Sequence, residues 1–362
     1  MKPTSEAQLA EFICSAAGPI VVRGGGTRTI GACAGEVLET GGLSGVALYE
    51  PGALTLVAGA GTPLAQVEAL LAAEGQRLPF EVPDMRGLLG REGHSTLGGV
   101  VAANASGPRR VQSGACRDSL IGVRFVDGAG TVIKNGGRVM KNVTGYDLVK
   151  LMAGSWGTLG VISEVAFKLL PVPEAGATLI LHGLSDQQAV EAMAAALGSP
   201  FEVSGAAHWP GQGTFLRIEG FSASVAYRAG QLQRHLAGFG AVEVEEGTAR
   251  WAGIRDVAPF HAAKGDVWRL SVKPSDAPAI VAQMGADAVL YDWGGGLIWA
   301  LVEAGADLRG RIAGFEGHAT RVRGCVGPGA FPPELPGVAV LTRGLRAKFD
   351  PRGILNTGLM DA

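Results

Sequence analysis

The chain has 362 residues, of which 31 are Lys or Arg and 33 are Asp or Glu, so its formal net charge is −2. This near-neutral balance excludes the basic footprint of a nucleic-acid-binding protein, and no apolar run approaches the roughly 18 residues needed to cross a bilayer. The N-terminus lacks the apolar segment of a signal peptide, and we expect a cytoplasmic protein of two or three domains. The cysteines are widely separated without a C-x-x-C pair, which predicts no disulfide framework, no iron–sulfur ligand set and no metal site. They are Cys14, Cys33, Cys116 and Cys325.

A β-branched run at residues 20–22 leads into a glycine-rich loop. The loop contains Gly24, Gly25, Gly26, Thr27 and Arg28. Three successive glycines allow a tight turn that aims several N–H groups into one concavity, which suits a pyrophosphate. A Rossmann fingerprint is disfavoured because the sixth position from Gly24 is Thr29, and a P-loop is disfavoured because the segment has no Lys. We predict a phosphate-binding loop between two strands. An ordinary turn is the alternative, since 57 residues of the chain are Gly.

The next elements are a strand and a helix. Residues 54–58 form a short apolar run that predicts a strand, and the glycines after it end that strand. Thr62 is predicted to cap a helix whose first residue is Pro63. Apolar residues at helical spacing continue to residue 71, and Gly75 ends the helix.

A second glycine-rich segment runs from Gly93 to Gly107, and small residues dominate it. Such a run either packs a helix on a strand or lets the backbone approach a large flat ligand. Ser95 and Thr96 supply hydroxyl groups beside Gly98 and Gly99, and Asn104 supplies a carboxamide.

A hairpin pattern follows at residues 120–132, with its turn at Asp127-Gly128. A short helix at 147–152 then enters a third glycine-rich loop, Gly-Ser-x-Gly-Thr-x-Gly, and a strand at 161–169. Pro171 and Pro173 mark a domain boundary.

The second half of the chain differs in character. Ala-rich helical patterns such as residues 185–197 alternate with strands at 241–246, 268–273 and 297–303. This alternation predicts a module of helices on an antiparallel sheet. The C-terminal helix ends at Asp350-Pro351, and the sequence shows no internal repeat.

The three glycine-rich loops, in this order, and the C-terminal run Phe349-Asp-Pro-Arg-Gly-Ile-Leu-Asn resemble the vanillyl-alcohol-oxidase-type (PCMH) FAD-binding family. Gly145-Tyr-Asp-Leu and the C-terminal run narrow the resemblance to the branch with the D-lactate and glycolate dehydrogenases. The short length is similar to that of the FAD-binding subunits of bacterial glycolate oxidase complexes. The resemblance implies an α+β fold in which residues 1–172 form a PCMH-type FAD-binding domain of two α+β subdomains. Residues 173–325 would form a smaller α/β cap of ferredoxin-like type, and residues 326–362 would pack back on the FAD domain.

The resemblance also implies the contacts of one FAD. The amides of Gly24, Gly25, Gly26, Thr27 and Arg28 would hold the pyrophosphate, with Ser95, Thr96, Gly98 and Gly99 on its other side. Asn104, Ala105 and Gly107 would lie along the isoalloxazine, and Gly157, Gly160, Val161 and Ile162 would pass the adenine and ribityl region. The first loop has no His, so we expect noncovalent FAD. His94 could serve as a covalent anchor, but we interpret it as a loop or packing residue.

The sequence defines the catalytic residues less clearly than the FAD contacts. The segment His261-Ala-Ala-Lys264-Gly-Asp266 only partly matches the His-rich segment of the longer dehydrogenases, so no catalytic residue is assigned. The resemblance implies oxidation of glycolate to glyoxylate. The partners would be a larger homologous FAD-containing subunit and an iron–sulfur subunit that takes the electrons, with peripheral attachment to the cytoplasmic membrane through them. The alternatives are a stand-alone FAD-dependent oxidoreductase of another 2-hydroxy acid or sugar, and a non-catalytic FAD-bearing assembly subunit.

Overall fold

The first half of the chain is built on a five-stranded antiparallel sheet. The computed structural model describes residues 1–137, 145–312, 314–324 and 329–360. The helices of the first half are α1 (Glu6–Ser15), α2 (Leu64–Ala73), α3 (Arg86–Leu89), α4 (Leu97–Ala102), α5 (Arg110–Ser113), α6 (Cys116–Ser119) and α7 (Leu148–Met152). Its strands are β1 (Ile20–Arg23), β2 (Glu36–Glu39), β3 (Val46–Glu50), β4 (Thr55–Gly59), β5 (Gln76–Arg77), β6 (Leu120–Val126), β7 (Val132–Gly136), β8 (Val161–Lys168) and β9 (Leu170–Pro171).

The sheet has the order β3-β4-β8-β6-β7, and α2 and α4 contribute to the apolar core on it. Val67 and Leu71 of α2 are fully buried with Leu56 of β4, as their helical spacing predicts. The prediction that Thr62 caps α2 is wrong. Pro63 occupies the cap position without a side-chain hydrogen bond. The Thr62 hydroxyl instead accepts a hydrogen bond from the N–H of Gly45 and donates one to the carbonyl of Gly59.

A small parallel pair, β1 and β2, lies beside this sheet and holds the first glycine-rich loop between its strands. No helix lies between β1 and β2, which confirms the strand–loop–strand prediction. The C-terminal segment joins the pair, since Leu355 forms a parallel bridge with Ile20 of β1. Ile20 and Leu355, which are far apart in sequence, therefore meet next to the first loop.

The second half forms one eight-stranded sheet in which every pairing is antiparallel. Its strands are β10 (Ala175–Leu181), β11 (Gly205–Trp209), β12 (Gly213–Gly220), β13 (Val242–Glu246), β14 (Asp266–Val272), β15 (Ala288–Asp292), β16 (Leu297–Val302) and β17 (Gly317–Arg323). Its helices are α8 (Asp186–Leu197), α9 (Ser222–His235), α10 (Arg250–Arg255), α11 (Ala277–Met284) and α12 (Leu308–Arg311), and α13 (Pro336–Phe349) follows the sheet.

This sheet consists of two ferredoxin-like units side by side. The strand order is β13-β10-β12-β11-β15-β16-β14-β17. When the four strands of each unit are numbered along the chain, both units have the order 4-1-3-2 from the outer edge of the sheet to its centre. The units meet where β11 pairs with β15 through His208 and Tyr291. The sequence shows no internal repeat because the repeat is in strand order and not in residue type. The ferredoxin-like prediction is confirmed, and it applies twice.

One face of the eight-stranded sheet packs on the first half of the chain through an apolar cluster that includes Ile30, Leu88, Trp251 and Trp299. The change from the five-stranded to the eight-stranded sheet falls between Lys168 and Ala175. The domain boundary near residue 172 stays a prediction, as does the one at 325/326, which lies outside the described residues. Within the described ranges, no helix is long and apolar enough to cross a bilayer.

Candidate functional site

A cavity of about 690 Å³ lies where the three glycine-rich loops meet. Most of the residues that the family resemblance assigned to FAD line this cavity. These are Gly24, Gly25, Gly26, Thr27, Arg28, Thr96, Gly98, Gly99, Gly157, Gly160 and Ile162. The fold therefore brings segments more than 130 residues apart in sequence to one concave surface.

The glycines of the first loop are required by close contact with the second loop. A Cβ atom on Gly25 would lie 1.6 Å from the carbonyl oxygen of His94, and one on Gly24 would lie 2.5 Å from Oγ1 of Thr96. Gly26 has a φ of +72° with open space around its Cβ position, which leaves room for a ligand. Backbone N–H groups thus border a cavity without side chains in front of them.

Arg28 brings a positive charge to this cavity. Its Nη2 atom donates to Oγ of Ser95 at 2.7 Å, but its buried Nε atom has no partner among the described residues. Burial lowers the pKa of Arg28 to about 10, so the guanidinium still carries its charge at neutral pH. The carboxylate of Asp84, which favours that charge, is itself paired with Arg86 at 2.6 Å. The cavity therefore fits an anionic group such as the pyrophosphate of FAD.

The second loop both packs a helix and lines the cavity. Thr96 caps α4 by accepting a hydrogen bond from the N–H of Gly99 at 3.4 Å. A Cβ atom on Gly98 would lie 2.9 Å from that of Ala60, so the small residue lets α4 approach the end of β4. Gly99 faces the cavity beside Arg28.

Five nominated residues do not line this cavity: Ser95, Asn104, Ala105, Gly107 and Val161. Ser95 lies behind the cavity wall, bonded to Arg28. Val161 is fully buried in the core beneath α1. Asn104 adopts a φ of +46° and accepts a hydrogen bond from the N–H of Arg117. The carbonyl of Gly107 accepts a hydrogen bond from Nε1 of Trp293 at 3.0 Å, so this segment lies against the cap.

Asn356 is a cavity residue to which the sequence analysis gave no role. Its Oδ1 atom accepts from the N–H of Val22 at 2.7 Å, and its Nδ2 atom donates to the carbonyl of Trp156 at 2.7 Å. Asn356 thereby ties the C-terminal segment to β1 and to the third loop. Its position in the C-terminal run that carries the family resemblance was the signal that could have identified it.

A second cavity, of about 570 Å³, adjoins the first through Arg91 and Glu92. His94 and His261 both line it, together with Asp84, Arg86 and Asp256. His261 lies 2.8 Å from the carbonyl oxygen of Asp256 through its Nε2 atom.

The fold does not assemble the segment from His261 to Asp266 into one site. Lys264 is exposed, and the buried carboxylate of Asp266 accepts a hydrogen bond from the N–H of Gly305. No general base can be assigned from this segment. In the described part of the chain, no group of His, Cys, Asp and Glu side chains could hold a metal ion.

Comparisons with known proteins agree with this geometry. A family described as FAD binding domain matches residues 1–136. The glycolate oxidase subunit GlcE of Escherichia coli (strain K12) is 36% identical over 348 residues, which are 95% of this chain and 93% of that protein. The glycolate oxidase subunit GlcD of Bacillus subtilis (strain 168) is 34% identical over 45% of this chain and 34% of its own length.

Among solved structures, an alkyldihydroxyacetonephosphate synthase matches with a TM-score of 0.73 at 16% identity, covering 99% of this chain and 76% of that one. This likeness shows that the PCMH-type α+β fold predicted from the sequence is correct. The matched FAD-binding domain and the GlcE relative along nearly the whole chain establish FAD as the cofactor. The chain therefore belongs to the GlcE family of FAD-binding glycolate oxidase subunits.

Proposed function

We propose that this chain holds FAD noncovalently within a multi-subunit glycolate oxidase and takes part in the oxidation of glycolate to glyoxylate. The similarity to GlcE, 36% identical along 95% of the chain, is the observation that carries the proposal. The glycine-lined cavity supports it independently, because it contains the Arg28 guanidinium, whose buried Nε atom has no partner among the described residues, and so suits the anionic part of the cofactor.

Each of the three glycine-rich loops is proposed to contact a different part of FAD. The N–H groups from Gly24 to Arg28 bind the pyrophosphate, and the Arg28 guanidinium offsets its charge. Gly157 and Gly160 keep the third loop free of side chains beside the adenine and ribityl part. The segment from Asn104 to Gly107 lies along the isoalloxazine. When bound, FAD supplies two-electron oxidation of a carbon that carries a hydroxyl group.

The cofactor is proposed to be dissociable. The first loop, Gly24 to Arg28, has no His that could bond covalently to the flavin. His94 is exposed and lines the second cavity, and its backbone carbonyl lies close to Gly25 of the first loop. Acid precipitation should release all yellow flavin into the supernatant. Flavin that stays with the precipitated protein would contradict noncovalent binding.

The electrons are proposed to leave through partners, namely a larger FAD-containing homologous subunit and an iron–sulfur subunit at the cytoplasmic face of the membrane. The wide spacing of the cysteines supports a partner as the carrier of any cluster. The scattering of His261, Lys264 and Asp266 supports a larger subunit as the main site of substrate chemistry. Because GlcE and GlcD are both described as glycolate oxidase subunits, a complex is the natural setting.

The proposal can be tested by reconstitution. The complex of all subunits should reduce an artificial electron acceptor with glycolate, and omission of this chain should abolish that activity. The isolated chain with FAD should not turn over with glycolate and O₂. Steady turnover of the isolated chain at about 10 per second, a typical enzyme rate, would favour the stand-alone oxidoreductase. Full activity of a complex that contains an FAD-deficient variant of this chain would favour the assembly subunit.

A further inference from the structure

Arg269, in the middle of β14, is a half-buried cation without a polar partner. Its guanidinium lies 5.0 Å from the ring centroid of Trp293 and 6.0 Å from that of Trp299. Across the described ranges it forms neither a hydrogen bond nor an ion pair. Arg217 of the same sheet, in contrast, is paired with Glu81 at 2.8 Å. The two aromatic rings hold the guanidinium in place and leave its N–H donors unpaired, so this position is suited to an anion that arrives from solution.

A second cation strengthens the positive potential at the same place. The guanidinium of Arg110 lies 4.7 Å from the centroid of the Trp293 ring and donates to Oγ of Ser106 at 3.1 Å. Burial and the charge of Arg110 lower the pKa of Arg269 to about 10, so Arg269 is charged at neutral pH. The Arg110 guanidinium, like arginines in general, is a cation there. We call Arg110, Arg269 and Trp293 the arginine–tryptophan cluster.

The neighbouring carboxyl group does not neutralise this cluster. Asp292 is buried and accepts a hydrogen bond from the N–H of Trp293 at 2.7 Å. Burial raises the pKa of Asp292 to about 8, so this group is mostly protonated at pH 7. The positive charge of the cluster is therefore available to a ligand.

The cluster lies against the segment that we assigned to the flavin. Trp293 sits in a strained turn, with a φ of +54°, and its Nε1 atom donates to the carbonyl of Gly107. Trp293 also packs on the apolar cluster of the cap face, as does Trp156, which lines the FAD cavity. Strained backbone that fixes an aromatic side chain is common at functional sites.

We propose that Arg269, held against Trp293 and reinforced by the charge of Arg110, binds the carboxylate of the substrate. The fork of a guanidinium matches the two oxygens of a carboxylate. The identity of that carboxylate as a 2-hydroxy acid rests on the proposed function, whereas the carboxylate chemistry follows from the arginines themselves. A carboxylate bound here would adjoin the Asn104–Gly107 segment.

Calorimetric titration of the full chain with FAD tests this site. The probes are glycolate, oxalate, which is a carboxylate without a carbinol hydrogen, and glycolamide, which has no negative charge. The unsubstituted chain should bind glycolate and oxalate but not glycolamide. Arg269→Gln should weaken oxalate binding at least tenfold, Arg269→Lys should weaken it less, and Arg110→Gln should weaken it by a smaller factor than Arg269→Gln.

Arg250→Gln is the matched control, because Arg250 also lies over an aromatic ring of the cap, that of Phe215, but is paired with Glu245 near the surface. It should leave oxalate affinity unchanged, and FAD content and unfolding temperature verify the fold of each variant. If Arg269→Gln fails to fold, Arg269→Lys and Arg110→Gln decide the outcome.

Equal oxalate affinity in the folded arginine variants and the unsubstituted chain would overturn the proposal, as would an unsubstituted chain that binds neither glycolate nor oxalate. Binding of oxalate through Arg269 in a complex that does not oxidise glycolate would instead retain the carboxylate site and reject the proposed function.

Discussion

At Gly25, the structure adds a steric reason to the electrostatic one for a loss of FAD affinity on substitution. A carboxylate in Gly25→Asp would repel the negative charges of a pyrophosphate bound at this loop. The Cβ position, however, meets the carbonyl oxygen of His94 at 1.6 Å, so any side chain separates the first two loops. We therefore expect Gly25→Ala to lower FAD affinity at least about tenfold, nearly as much as Gly25→Asp, through a shift of the loop backbone.

The measurement is the ratio of flavin to protein absorbance in a titration with FAD. Gly52→Ala is the control, because nothing lies within 4 Å of its Cβ position. Full FAD binding by Gly25→Ala would show that the two loops are not in close contact.

Asp292 predicts a pH dependence of stability. Burial raises its pKa from 3.8 to about 8, against the opposing effect of the Trp293 N–H and the charges of Arg217 and Arg269, while Glu81 adds to the rise. In the unfolded chain the group ionises near pH 4. Between these values only the unfolded state releases the proton, so stability falls as pH rises through this range.

Asp292→Asn keeps the hydrogen-bond acceptor and removes the ionisation. It should stabilise the chain at pH 7 by about 2–4 kcal/mol, which is on the order of a shift of a few pKa units. The gain should shrink toward pH 4. Urea unfolding of both proteins at pH 5 and pH 8 measures this, and a gain that does not grow with pH would contradict the assignment.

At the level of elements, a buried group of four charges joins the cap to the FAD-binding half. Arg217 and Glu219 of β12 meet Glu81 and Arg109, with Arg217 to Glu81 at 2.8 Å and Arg109 to Glu219 at 2.7 Å. Arg217 is only 1% exposed. Burial alone would raise the pKa of Glu219, but its hydrogen bond from Arg109 and both arginine charges lower it to about 2. That contribution to stability is present above pH 4.5 and is lost as pH falls toward 2.

Removal of one of these four charged side chains should therefore lower the free energy of unfolding. Arg217→Met leaves Glu81 and Glu219 buried with less compensation, and we expect a loss of about 3–5 kcal/mol in the free energy of unfolding. The exposed pair of Arg250 and Glu245 provides the control, because Arg250→Gln should cost less than about 1 kcal/mol. Equal losses in the two variants would show that the buried group does not hold the two halves together.

At the level of the whole molecule, the segment around Asn356 near the C-terminus forms part of the cofactor cavity wall. Asn356 connects β1 with the third loop through two hydrogen bonds, and Leu355 extends the pairing of β1. Asn356→Ala should lower FAD affinity about thirtyfold, because the two lost bonds contribute about 1 kcal/mol each. Fluorescence titration with FAD measures the change.

Thr357→Ala is a suitable control, since the exposed Thr357 hydroxyl bonds only locally, to the carbonyl of Gly353. Its FAD affinity should match that of the unsubstituted chain. A loss of affinity equal to that of Asn356→Ala would mean that the C-terminal segment acts as a whole and that the Asn356 bonds are not special.

The sequence by itself was sufficient for features encoded by neighbouring residues. Glycine triplets, apolar periodicity and the C-terminal run predicted the strand–loop–strand segment, the antiparallel cap and the FAD-binding family. The assignment of the first loop to the pyrophosphate stays a prediction, although its residues do line the cavity. These features can be predicted from the sequence because turn geometry and helical or strand periodicity depend on residues a few positions apart.

Only the tertiary structure decided which distant groups meet and which charges remain without partners. It placed Asn356 on the cofactor cavity, separated Lys264 and Asp266 from the wall that His261 forms, and set Arg269 and Arg110 around Trp293. The doubled ferredoxin-like order was also invisible in the sequence, because unlike residues can build the same strand order. Compensation of charge and burial depends on contacts across the chain, which local residue patterns do not contain.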